Sequence, residues 1–316
     1  MVALRLLILS TLLICSSFAH ADVLFEGYSK IMLGGSHVGY AVSRYDFDVK
    51  KQEFVSTYFI RIETGEVKFS ESLKARANSK LEPISYFFTR LDGEPAPAKP
   101  GSKTPPKAAN EVKTIDAYFQ KNKMSAVVRE NGQTKTIKKD LPKGAFLSTF
   151  LYYLILQSKD GLKVSDASLS FDAIAEEDAS LTKGTAWVKS QQAYNGVDSY
   201  KVLNVFKDDN YISYVTPKGE IIATESPGRK LSTQLVPDMK QAVGALSFKS
   251  ATLESLFGAV PKGKENILAR TSTEEIPAPE SKLNTKVLST APEATPAVAA
   301  TPVAATPAPA LPAKKK

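Results

Sequence analysis

Cysteine and histidine are almost missing from this chain of 316 residues. The one cysteine is Cys15, and the two histidines are His20 and His37. Because Cys15 and His20 lie in a segment that we expect to be removed, the mature chain has no disulfide, thiolate nucleophile or cysteine-bound metal. One histidine excludes a zinc site of paired histidines, and a histidine-assisted serine triad depends on His37 alone. We predict no metal, no cofactor and no enzymatic activity.

His37 stands in a glycine-rich stretch, residues 34–39, that is typical of a hairpin tip. A histidine there is expected to be structural or solvated rather than a catalytic base. The same glycines match neither a dinucleotide-binding fingerprint nor a phosphate-binding loop, because the spacing differs and no Lys-Ser/Thr pair follows.

Long apolar runs are also scarce, and the one at the N-terminus indicates export. Residues 1–5 are weakly cationic, residues 6–14 are apolar but too short to span a bilayer, and Ala19-His20-Ala21 fits a signal-peptidase site. We predict cleavage after Ala21 and a mature protein that is periplasmic or secreted. The alternative is a lipoprotein acylated at Cys15, although the residue before that cysteine is bulky.

The formal net charge is +8, and Arg5 is the one charged residue of the predicted signal peptide. The positive charge is mostly lysine and looks spread along the chain rather than clustered. Since no basic stripe interleaved with aromatic residues is visible, we predict no nucleic-acid partner. The excess of positive charge favours solubility and weak attraction to anionic envelope surfaces.

Two segments are dominated by proline and small residues. Residues 271–316 contain no aromatic residue and end in three lysines, so we predict a disordered tail that contacts an anionic envelope polymer or serves as a plain spacer. Residues 93–110 are too rich in proline for a sheet interior. They are expected to form a long surface loop, or a joint between two β lobes.

Alternation of apolar and polar residues is the main signal between these segments. In residues 53–62, one face is predicted to hold Phe54, Tyr58, Ile60 and Ile62, and the other Glu53, Val55, Thr57 and Arg61. Asn131-Gly132 predicts a hairpin with a type I′ turn. Residues 184–225 predict a four-stranded antiparallel meander with turns at 195–196, 208–210 and 217–219.

Residues 144–158 are apolar nearly all round and predict a helix enclosed by the protein. Weaker helical patterns cover residues 237–246 and 252–257. The expected fold is mainly β (α+β), a curved antiparallel sheet or half-barrel around the apolar helix, over about residues 22–270. Two smaller β lobes are the alternative.

The acidic residues 176–178 are the one notable cluster of their kind, and their spacing favours a solvated loop over a cation site or an acid–base pair. Trp187 lies in mid-strand, where an aromatic residue belongs to a core or stacks on a ligand. A ligand held between sheet and helix is expected to contact aromatic side chains: Phe59, Tyr86, Phe146, Phe150, Tyr153 and Trp187.

Three segments carry a resemblance to a known family: residues 35–40, 81–86 and 216–221. With these turns and strands the chain resembles envelope proteins of unknown function whose half-barrel sheet often precedes a transglutaminase domain. More distantly, it is similar to carriers and receptors that move lipoproteins across the periplasm. The resemblance implies a half-barrel over about residues 25–235, and no catalytic residue is carried over.

Two functions follow as expectations. The first is a non-enzymatic exported envelope protein that acts as a binding or scaffold module, with an envelope protein as partner. The alternative is a carrier that holds an acyl chain, a lipoprotein or another apolar ligand in a half-barrel cavity.

Overall fold

Long antiparallel strands make up most of the protein. The computed structural model describes residues 21–64, 67–93 and 111–273. Its strands form one large, open, curved sheet, and the fold is mainly β as predicted. The predicted signal peptide up to residue 20, residues 94–110 of the proline-rich loop and the predicted tail after Thr273 lie outside the described residues.

Fifteen strands are present in the described residues. They are β1 (Asp22–Leu33), β2 (Ser36–Asp48), β3 (Glu53–Glu63), β4 (Lys68–Asn78), β5 (Pro83–Asp92), β6 (Glu111–Gln120), β7 (Lys123–Glu130), β8 (Gln133–Asp140), β9 (Phe146–Leu147), β10 (Leu169–Ala175), β11 (Ser180–Tyr194), β12 (Val197–Phe206), β13 (Asp209–Val215), β14 (Ile221–Ser226) and β15 (Leu231–Val236).

Strands that follow one another in the chain are mostly neighbours in the sheet. The order is β8-β7-β6-β5-β4-β3-β2-β1-β15-β14-β13-β12-β11-β10-β9, with β1 and β15 joining the two halves. The pairs are antiparallel except for the short β9, which runs parallel to β10. Because β5 and β6 flank the proline-rich loop and pair with each other, the alternative of two separate β lobes is wrong.

The turn residues fix the register of the hairpins. Asn131 and Gly132 have φ values of 52° and 73°, and Asn195 and Gly196 have 49° and 80°, as a type I′ turn requires. The predicted meander β11 to β14 is confirmed. Its second turn covers residues 207–208 instead of 208–210, and Lys207 and Asp208 take the positive φ values.

The apolar helix is shorter than predicted from residues 144–158. Helix α1 covers Leu151–Gln157 and follows a 3-10 turn at Ser148–Phe150. Gly144 has a φ of +84°, and β9 pairs with β10 instead of entering the helix. The sequence before the helix is therefore apolar because it pairs with a buried strand, a case that apolar runs alone cannot distinguish from helix.

Three helices follow the last strand: α2 (Met239–Val243), α3 (Ser250–Phe257) and α4 (Ile267–Thr273). The first two confirm the weaker helical predictions with shifted ends. The third was not predicted, and it runs three residues into the segment expected to be disordered. Asn266 caps it by accepting hydrogen bonds from the amides of Leu268 (3.0 Å) and Ala269 (3.1 Å).

Both faces of the central strands are covered by the chain itself. We call the face packed against residues 146–157 the inner face, and the face packed against α2 and α3 the outer face. In β3, Phe54 and Tyr58 lie on the inner face as predicted. Thr57 and Arg61, predicted on the opposite face, are buried at 4 % and 2 % exposure because the outer face is covered too.

None of the helices in the described residues is long and apolar enough to cross a membrane.

Candidate functional site

Residues 146–157 lie across the inner face and supply most of its cover. Phe146 and Leu147 are fixed by pairing with Ala173 and Ile174 of β10. Phe150 is fully buried, and Leu151, Tyr152 and Ile155 of α1 are buried beside it. The segment belongs to the same apolar cluster as the side chains of β4 to β7. The inner face is therefore a packed core across the middle of the sheet.

Four aromatic rings meet where this segment crosses β2 and β3. The ring centres of Tyr45 and Phe54 each lie 5.3 Å from that of Tyr153 and 6.3 Å from that of Phe150. These distances are typical of tilted aromatic contacts, which stabilise a core beyond the area they bury. The rings hold the 3-10 turn and α1 against the N-terminal strands.

A buried carboxylate ties the same turn to the other half of the sheet. Glu176 is 3 % exposed and accepts hydrogen bonds from the Ser148 hydroxyl (2.6 Å) and the Thr149 amide (3.1 Å). Burial raises the pKa of Glu176 from 4.5 to about 7, and the neighbouring charge of Glu177 adds to the effect. The expectation of a solvated loop is therefore wrong for this residue.

The other two acidic residues of the cluster are partnered at the surface. Glu177 and Asp178 accept hydrogen bonds from the Lys207 ammonium at 2.6 and 2.5 Å. A tight turn points Glu176 inward and its neighbours outward, which is why three consecutive acidic residues have different environments. The sequence gives no sign of this difference. The described residues hold no group of three His, Cys, Asp or Glu side chains placed to bind a metal.

Thr149 extends the network to the N-terminal strands. Its carbonyl accepts a hydrogen bond from the Tyr45 hydroxyl at 3.0 Å, and its hydroxyl lies 2.8 Å from that of Ser56. Burial raises the pKa of Tyr45. Through Thr149 and Glu176, polar contacts cross the inner face from β2 and β3 to β10.

A cavity of about 120 Å³ remains on the inner face beside α1. Aromatic walls are formed by Phe25, Tyr45 and Tyr153, and the rest is lined by side chains of β1, β2, β14 and β15 and by Gly219 and Glu220 of the turn before β14. Small-molecule sites in proteins usually measure about 300–1,000 Å³. In this conformation the cavity is too small for an acyl chain.

The predicted ligand-contacting residues do not share one site. Tyr86, Phe146 and Phe150 are buried in the inner core, and Tyr153 packs against it and lines the small cavity. Phe59 belongs to the outer cluster.

Trp187 is partly exposed, with the Lys189 ammonium 4.8 Å from its ring centre. Its strand neighbours Ala186 and Val188 belong to the inner core. Since successive strand residues face opposite sides, Trp187 lies on the other face of the sheet.

The tip of the first hairpin is Gly34-Gly35, so His37 lies inside β2 rather than in the turn. Its Nε2 lies 3.0 Å from the Gly39 carbonyl oxygen. A Cβ added at Gly244 would stand 3.0 Å from the imidazole Cε1, so the ring packs against the main chain after α2. These contacts are those of a structural histidine.

One concentration of positive charge is not evident from the composition of the whole chain. The β7–β8 hairpin, defined here as residues 121–143, has seven basic residues and two acidic ones. The basic residues are Lys121, Lys123, Arg129, Lys135, Lys138, Lys139 and Lys143, and the acidic ones are Glu130 and Asp140. A count of charge in windows of this length identifies the hairpin, whereas the even spread of lysine over the whole chain conceals it.

Comparison with known proteins gives no relative from which a site can be transferred, because no family model, curated protein or solved structure matches the chain.

Proposed function

We propose that the protein is an exported, non-enzymatic module of the cell envelope that binds or positions other molecules through its outside surfaces. One observation carries the proposal. The middle of the inner face of the curved sheet, where a carrier would hold its ligand, is filled by the protein's own residues 146–157, and the cavity between α1 and β1, β2, β14 and β15 measures about 120 Å³.

Export is supported by the N-terminal pattern together with the start of the fold. Strand β1 begins at Asp22, the residue directly after the predicted cleavage site. N-terminal sequencing of protein from its native envelope tests this point, with a first residue of Asp22 expected. A blocked, acylated start at Cys15 would make it a membrane-anchored lipoprotein instead.

A non-enzymatic role is supported by how the reactive side chains are used. The imidazole of His37 is engaged by main-chain groups, and Glu176 holds the Ser148 hydroxyl and the Thr149 amide. Both therefore have structural partners that account for their positions.

The experiment is native mass spectrometry of the protein purified from its own envelope, beside a variant that ends at Thr273. We place the truncation there because the Thr271 hydroxyl donates to the Ile267 carbonyl (2.9 Å) within α4, so an earlier cut damages the fold. Ligand-free protein with specific envelope partners supports the proposal. Partners lost only in the truncated variant would assign the contact to the tail.

A carrier is the second candidate, and one observation favours it. The Tyr86 hydroxyl is buried on the inner face and has no hydrogen-bond partner in the part of the chain that the structure describes. A polar ligand atom or a water molecule would satisfy it. Co-purifying lipid, with a rise in melting temperature on adding oleic acid, would replace the binding module by the carrier.

A further inference from the structure

The two edges of the sheet differ in length, burial and charge. Strand β9 forms one edge with two residues, both buried. Strand β8 forms the other edge with eight residues, six of them exposed. Within the described residues β8 pairs only with β7, along its whole length. The main-chain groups on its other side are therefore available to a further strand.

Lysine side chains stand on both faces of this edge. Lys135 and Lys139 are opposite Val128 and Met124, which pack on the inner face, and Lys138 is opposite Ser125 on the other face. Strand residues alternate between faces, so a flat anionic surface meets only one of the two sets. An extended chain lying beside β8 presents side chains to both sets.

A cleft of about 530 Å³ adjoins the C-terminal end of β8. Its lining combines the apolar side chains of Tyr118, Phe119 and Met124 with polar and charged ones, of which three are lysines and one is acidic: Gln120, Lys123, Ser125, Lys138, Lys139 and Asp140. Tyr118 is 62 % exposed, which is unusual for an aromatic side chain on a sheet. The cleft has the volume and the mixed lining of a site that accepts a side chain of a bound peptide.

We infer that β8 is a docking edge for an extended acidic segment of a partner protein, which adds to the sheet as a further strand. Main-chain hydrogen bonds supply the pairing, acidic side chains on both faces meet the lysines, and an apolar side chain at one end enters the cleft. A second copy of this chain does not fit, because two β8 edges would bring lysine against lysine. The inference deepens the proposed binding function and rests on it.

The test uses the mature chain and a fluorescein-labelled peptide of about ten residues in which pairs of glutamates alternate with pairs of valines, so that glutamates fall on both faces of a strand. The same peptide with every main-chain amide N-methylated has equal charge and the same side chains, but it has no amide hydrogen to donate to a strand. We expect saturable binding of the unmodified peptide in fluorescence anisotropy, little binding of the N-methylated peptide, and slower hydrogen exchange of the β8 amides in the complex.

The double variant Lys135→Gln/Lys138→Gln should weaken binding about fivefold, the sum expected of two exposed charge pairs. Lys159→Gln/Lys163→Gln is the matched control, since both lysines are exposed and lie in the loop before β10. Tyr118→Ser tests the cleft and should weaken binding with no change in melting temperature.

Equal binding of the N-methylated peptide, or unchanged exchange in β8, would overturn strand addition in favour of diffuse electrostatic attraction. Tighter binding to phosphatidylglycerol vesicles than to the peptide would assign the lysines to a membrane surface. Self-association of the Lys135→Gln/Lys138→Gln variant with unchanged peptide affinity would show that the lysines serve only to keep edges apart. None of these results decides whether native envelope partners exist, which the mass spectrometry tests separately.

Discussion

The inner and outer faces of the central strands are both covered, but by chemically different contacts. On the outer face, the Tyr28 hydroxyl donates to the Pro261 carbonyl at 2.8 Å, and Glu26, paired with Arg44, accepts from the Gly263 amide at 2.7 Å. On the inner face, the buried carboxylate of Glu176 accepts from neutral donors.

This difference predicts how the contacts on each face respond to a change in pH. The carboxylate on the outer face has a guanidinium partner, which offsets the cost of burying its charge. Burial opposes ionisation of Glu176, so the contacts that hold residues 146–157 on the inner face become less stable as this carboxyl group loses its proton. The attachment of residues 146–157 is therefore sensitive to pH.

The largest expected effect comes from emptying the inner core. Phe150→Ala should lower the free energy of unfolding by about 3–5 kcal/mol, because the ring is fully buried among Tyr45, Phe54 and Tyr153. Phe59→Ala, on the outer face at 1 % exposure, is the matched comparison and should cost a similar amount. Urea denaturation measures both. A mild loss at Phe150 beside a large one at Phe59 would show that the inner face is loosely packed.

The next effect distinguishes the two faces by how the free energy of unfolding depends on pH. The folded protein keeps a proton on Glu176 between about pH 4.5 and about pH 7, whereas the unfolded chain releases it. The free energy of unfolding therefore falls as pH rises through this window, by on the order of 3 kcal/mol from this group. Glu176→Gln should remove this contribution in urea curves measured from about pH 5 to about pH 8, and leave the part below about pH 6 that the raised pKa of Asp46 adds.

Glu177→Gln is the control for this experiment, since its carboxylate is bound to Lys207 at the surface. It should keep most of the decline. If the Glu176→Gln variant kept the pH profile of the native protein, Glu176 would not be the group that makes the attachment of residues 146–157 depend on pH.

A smaller effect is expected in a helix that covers the outer face. Asp238 caps α2 by accepting a hydrogen bond from the Gln241 amide at 2.8 Å. Asp238→Ala should cost about 1 kcal/mol of unfolding free energy, and Asp238→Asn, which keeps the acceptor, should cost less. Equal losses would mean that the charge of Asp238, rather than its hydrogen bond to the Gln241 amide, stabilises α2.

The smallest effect is predicted at His37. His37→Ala removes a partly exposed ring that packs against Gly244, so the melting temperature should change little and the free energy of unfolding by less than about 1 kcal/mol. A large loss would give the imidazole a role that its contacts with Gly39 and Gly244 do not account for.

Turn chemistry and alternation made much of the sheet predictable. Asn131-Gly132 and Asn195-Gly196 specify their hairpins because few other residue pairs adopt two successive positive φ values. The helix ends were not predictable in the same way. Phe146 and Leu147 look helical within an apolar run, and only their pairing with β10, distant in sequence, makes them a strand.

The inner site was only partly visible in the sequence for a related reason. Phe54, Phe150 and Tyr153 follow from the patterns, whereas Glu176 was expected in solvent because acidic residues are seldom buried. Burial of Glu176 depends on Ser148 and Thr149, which approach it only when the sheet curves. The alternation of β3 already puts Phe59 opposite Phe54 and Tyr58, so its prediction as a ligand contact on the inner side is wrong, and the ring belongs to the outer cluster.

Hydrogen exchange of residues 146–157, with and without oleic acid, tests most directly whether the protein fills its own inner face. We predict slow exchange of this segment, close to that of β2 and β3, and no change when the fatty acid is added. Fast exchange in the free protein, or a rise in exchange on adding oleic acid, would contradict it. Either result would mean that the segment leaves the inner face and opens the cavity of a carrier.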